Sequence, residues 1–181
     1  MDPASLILSA LALGAAGVAL WCARRAFGAR VVRAKLAWAG RALAFAGAGF
    51  ALWFPAELYG ELGLVLRNGG GDAGWLPRAI WYSLATLPLT VVPALVALRS
   101  VRWGALLFAA AMSFQIVEAL VRPFGVIFPE ASHDLGAYLF SFGPQLVTIA
   151  LLTLGRDGPA FGAVRSRRHP AFVPIVKEVH P

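Results

Sequence analysis

Residues 79–121 read AIWYSLATLPLTVVPALVALRSVRWGALLFAAAMSFQIVEALV. Two apolar runs, 79–98 and 103–121, are separated only by Arg99-Ser100-Val101-Arg102. Each run has about the 20 residues a helix needs to cross a bilayer. A connection this short leaves room only for a tight reversal, so the runs predict an antiparallel helical hairpin. In lipid the backbone must satisfy its own hydrogen bonds, and no alternating barrel pattern is present to do so between strands.

Working outward, three further segments have the same character: 4–21, 36–54 and 135–154. Over 181 residues the chain is 59% hydrophobic and 14% charged, with a mean hydropathy of +0.72. A soluble domain is about a quarter charged. That contrast excludes a soluble enzyme and a disordered tail, and a lone Cys22 excludes a disulfide scaffold. Cys22 closes an apolar run and reads as a small buried side chain. The expected fold is an all-α integral membrane protein, a bundle of five transmembrane helices over residues 1–155. Residues 156–181 form a basic, Pro- and Gly-rich cytoplasmic tail. The third and fifth helices are expected to kink at Pro88, Pro93 and Pro144.

The second segment has two readings. In the favoured one it spans 36–54, with Arg41 snorkelling to the inner headgroups, and 56–66 is an outer interfacial helix after Pro55. In the other the span runs 42–66 and places Glu57 and Glu61 in the membrane, where a carboxylate pair is costly.

Net charge is +7, and its distribution sets the expected orientation. Thirteen of the sixteen basic residues fall in the segment from Arg24 to Arg41, at Arg99 and Arg102, or in the tail. With five spans these all lie on one side, which the positive-inside rule makes cytoplasmic, with the amino terminus outside. Trp21, Trp38 and Trp103 then fall at inner interfaces, and Trp75, Trp81, Tyr82 and Tyr138 at outer ones. Met1-Asp2-Pro3 lacks the basic n-region of a signal peptide, so the first run reads as a retained span. All basic residues but Lys35 and Lys177 are arginine; with abundant alanine and glycine this points to a GC-rich bacterium and its inner membrane. Small residues at Ala12 and Ala16, and at Gly40, Ala44 and Ala48, mark places where helices approach closely.

Polar residues within the spans are the candidate site. Ser83, Thr86 and Thr90 share a face of the third span; Gln115, Glu118 and Arg122 a face of the fourth; Tyr138, Ser141, Gln145 and Thr148 a face of the fifth. Lipid offers these groups no partner, so the stripes are expected to converge in a seam that opens outward. Glu118 could meet a cation there, or simply pair with Arg122 one turn on. Breaks at prolines near the midplane occur in transporter sites and also in ordinary membrane helices.

No catalytic motif is readable. Gly69-Gly70-Gly71-Asp72 lacks the Lys-Ser/Thr of a phosphate loop, and His133-Asp134 with Glu130 is too sparse for a metal site. No metal or cofactor is expected. The tail cluster Arg165-Ser166-Arg167-Arg168-His169 reads as a topology signal or a grip on anionic lipid, not as a nucleic-acid site. Trp81-Tyr82 followed by Pro88 and Pro93 is similar to the WYxxLxKP stretch of the tryptophan-rich sensory (translocator) family, which also has five spans. Leu87 stands where that family has lysine, and the stretch falls in the third span rather than after the first, so no family is assigned on it. The leading expectation is a non-catalytic accessory or partner-binding membrane subunit, with the bilayer and a membrane protein or a second copy as partners. The alternative is a small-molecule or lipid binding or transport protein using the seam. An intramembrane enzyme using Glu57, Glu61 or Glu118 ranks last.

Overall fold

The structure, a computed structural model, describes residues 3–67, 75–121 and 135–156. Residues 68–74, 122–134 and 157–181 lie outside the described residues, and with them the triglycine stretch, His133-Asp134 and the Arg165 cluster. Five helices follow in order: α1 (Pro3–Gly28), α2 (Val32–Arg67), α3 (Trp75–Arg99), α4 (Val101–Val121) and α5 (Leu135–Leu154). No strand occurs among the described residues. Three helical stretches are long and apolar enough to cross a membrane: Pro3–Gly28, Val32–Leu66 and Ala79–Arg99. The apolar stretches Val101–Ile116 and Phe142–Leu154 are shorter.

The second segment is one helix of 36 residues, about 54 Å long at the standard rise. The separate helix expected at 56–66 is the continuation of α2. Pro55 does not end it, because a proline costs one intrahelical bond while packing can hold the axis; Pro55 is fully buried. Here Ser5 of α1 donates its hydroxyl to the Ala56 carbonyl at 3.1 Å, tying the start of α1 to the middle of α2. α3 and α5 likewise run on through Pro88, Pro93 and Pro144.

α2 organises the bundle. It packs against α1, α3 and α5, while α3 packs on α4 and α4 on α5. Helices α2 to α5 thus close a ring, and α1 lies outside it against α2. The core is built mainly of alanine: Ala37, Ala44 and Ala48 of α2 meet Ala94 and Ala97 of α3, with Phe45, Phe108 and Leu152 filling the remaining space. Small side chains suit helix contacts in lipid, where association rests on close backbone approach rather than on expelling water. A Cβ placed on Gly49 would sit 3.4 Å from the Ala12 carbonyl, so the small stripe of α1 meets α2 here. A second cluster, Leu58, Leu76, Ala79 and Ile80, joins the far halves of α2 and α3.

The hairpin between α3 and α4 is tighter than the sequence implies. Only Ser100 separates them, with its amide bonded to Val96 and its carbonyl receiving Gly104 at 2.9 Å. The α1–α2 turn, the α3–α4 turn and the end of α5 gather at one end of the bundle, since Gly155 abuts Ala37 of α2 and Arg41, one turn on, bonds the Ala97 carbonyl beside the α3–α4 turn. The described basic residues of those turns therefore share one end.

Candidate functional site

The polar stripes are distributed unequally. On α3 each hydroxyl serves its own helix: Ser83 donates to Ala79 at 2.7 Å, Thr86 to Ser83 at 3.0 Å and Thr90 to Leu87 at 3.1 Å. These are not the Leu84 and Leu89 carbonyls that Pro88 and Pro93 release four residues back. Between α4 and α5 the structure does bring two candidates together: the Gln145 amide donates to the Gln115 side-chain carbonyl at 3.0 Å. Thr148 donates to the Pro144 carbonyl at 2.7 Å. Glu118 falls in the last turn of α4, and Tyr138 and Ser141 in the first turns of α5, but their side chains lie outside the described residues, as does all of Arg122.

The glutamine pair is a testable link. Interhelical polar bonds in membranes average about 0.6 kcal/mol and reach roughly 1.7. Gln115→Leu or Gln145→Leu alone should lower stability by about 1 kcal/mol, because the remaining amide loses its partner. The double leucine variant should recover most of that loss. Thermal melting in detergent measures the cycle; purely additive single effects would show that the two side chains do not act as a pair.

The most consequential side chain is one that sequence reasoning put elsewhere. Arg41 does not snorkel to the headgroups: it is 0% exposed. Its Nε donates to the Ala97 carbonyl at 2.8 Å, one of the last four carbonyls of α3, which have no partner within their helix. The negative end of that helix favours a cation there. The guanidinium also lies over the Trp38 ring, 4.5 Å from its centroid. Its Nη1 and Nη2 are buried without a hydrogen-bond partner. The available signal was spacing: Ala37, Arg41, Ala44 and Ala48 fall on one face of α2, and that face is buried. Cys22 is fully buried, as its sequence position implied.

From Arg41 a chain of stacked groups leads to the surface. Trp38 meets Trp21 edge to face, with centroids 5.3 Å apart, and the Arg25 guanidinium lies 5.2 Å from the Trp21 ring centroid. These rings form part of a concavity of about 550 Å³ at the α1–α2 turn, where Arg24, Arg25, Arg30 and Ala34 also line the wall. No group of three metal-binding side chains occurs among the described residues. No family model, curated protein or solved structure matches this chain.

Proposed function

We propose that the chain is a multi-pass protein of the cytoplasmic membrane and acts as a non-catalytic accessory subunit for a membrane partner. Its five helices cross with the amino end outside and the arginine-rich end inside. One observation carries the reading: apart from the two Nη atoms of Arg41, the polar side chains described within the bundle find partners in the helices themselves. The α3 hydroxyls bond their own helix, Gln115 and Gln145 bond each other, and Arg41 holds the end of α3. A site for chemistry or uptake needs polar groups directed at a ligand; these are directed at the fold. Support for the orientation comes from Arg24, Arg25, Arg30, Arg99, Arg102 and Arg156, which the helix turns collect at one end. α1 leaves Leu13 and Leu20 exposed and Gly14 and Gly17 open, an apolar face suited to lipid or a partner helix.

Two measurements test this. Reporter fusions within 29–31 and after Arg156 are expected on the same, cytoplasmic face; opposite faces would defeat the topology. Purification in mild detergent is expected to retain a stoichiometric membrane partner. A monodisperse lone chain would count against the accessory role.

A further inference from the structure

We infer that the concavity at the α1–α2 turn binds the phosphate of an anionic glycerophospholipid from the cytoplasmic leaflet. The inference rests on the membrane reading above and adds a ligand to it.

Three arginines, Arg24, Arg25 and Arg30, line a space of about 550 Å³, within the range of small-ligand sites. Described carboxylate side chains do not neutralise them. Glu57 and Glu61 lie on α2 beyond residue 56, and Glu57 is about 34 Å along the helix from Ala34. Arg25 rests on the Trp21 face, an arrangement that steadies a guanidinium while leaving its donor fork for phosphate oxygens. Trp21 is braced by Trp38, and Trp38 by the buried Arg41, so the floor of the concavity is anchored in the bundle core.

The surroundings distinguish a lipid from a free anion. Phe27 is 88% exposed, Leu20 73% and Val32 68%, so large apolar side chains alternate with the arginines around the turn. Water suits only the arginines, and hydrocarbon only the apolar groups. A glycerophospholipid satisfies both, with its phosphate among the guanidiniums and its acyl chains along α1. Basic pockets between membrane helices on the cytoplasmic side take anionic headgroups on these grounds. A zwitterionic choline headgroup would bring a cation toward three arginines, so the site should discriminate against it.

The full chain in neutral detergent, stripped of native lipid, would be titrated with phosphatidylglycerol and with phosphatidylcholine, and the bound lipid counted by native mass spectrometry. Each arginine beside an anionic headgroup is worth a factor of roughly five. The double variant Arg25→Gln, Arg30→Gln should therefore lose phosphatidylglycerol affinity by about 25-fold. Arg99→Gln with Arg102→Gln removes equal charge at the neighbouring turn and should retain binding. Equal retention of the two lipids by the unaltered chain would overturn the proposal without any variant. So would equal losses in the two double variants, which would reduce the effect to net charge. Displacement of the lipid by millimolar inorganic phosphate would make this a free-phosphate site and would also overturn it. Alkaline extraction of cell membranes separates the two levels. A chain that stays in the pellet but shows no lipid preference defeats only the lipid site; a chain that leaves the pellet defeats the membrane reading itself.

Discussion

Arg41→Ala is expected to destabilise the bundle by about 3 kcal/mol, while Arg41→Met stays within about 1 kcal/mol of the original protein. The alanine variant removes a fully buried long side chain, and cavities of that kind cost roughly 2–5 kcal/mol. It also leaves the Ala97 carbonyl without its Nε donor, worth about 1–3 kcal/mol for a buried acceptor. Offsetting both is the removal of a buried cation whose Nη1 and Nη2 have no hydrogen-bond partner. Methionine keeps most of the volume, so the cavity cost disappears. The orphaned carbonyl is then set against relief from burying charge, and replacing buried ionic groups by apolar ones of similar size is often neutral or stabilising. Melting of the three proteins in one detergent gives the order. An alanine variant as stable as the original would mean that the guanidinium is not enclosed. A methionine variant as weak as alanine would place the stabilisation in the bond to α3 rather than in packing.

The second large effect concerns glycines that look interchangeable in sequence. Gly104→Ala would set a methyl 2.6 Å from the Ala97 Cα, and Gly155→Ala one 2.6 Å from the Ala37 Cα. Both obstacles are backbone, which no rotamer change relieves, so helices α3 and α4, or α2 and α5, must separate. Overpacking commonly costs about 1–3 kcal/mol, occasionally more; the upper part of that range is expected at both positions. Gly47→Ala, in α2, meets nothing within 4 Å. There the only change is the higher helix propensity of alanine, a gain of about 0.5–1 kcal/mol. Opposite signs at positions 104 and 47 are the expected result. Equal effects would show that the close approach at the α3–α4 turn does not exist in the folded protein.

These two experiments address the links that distant parts of the chain make with one another. The existence of α3 and α4 and of a short reversal between them follows from local composition: two apolar runs with one short polar break. The division of α2 at Pro55 did not follow. Proline weakens a helix by a fixed local amount, and whether the helix continues depends on what packs around it, here a buried Pro55 and the bond from Ser5. Among the candidate site residues, Gln115 and Gln145 are brought into contact, one from each of two stripes whose polar faces are visible in the sequence. The α3 hydroxyls turned to their own carbonyls, because a serine or threonine can satisfy its hydroxyl within one turn of helix.

Hydropathy and charge by themselves determined that the chain is helical, apolar over bilayer-length runs and basic at alternate turns. Those properties are local sums over neighbouring residues. Only the tertiary structure decided that α2 is the hub, that Arg41 is enclosed against the end of α3, and that Trp21 and Trp38 line a basic concavity. Each of these depends on which helix faces which, and a side chain's solvent is set by elements far away in the chain. An arginine near a helix end reads as snorkelling until the alanines on its own face are seen to bury it.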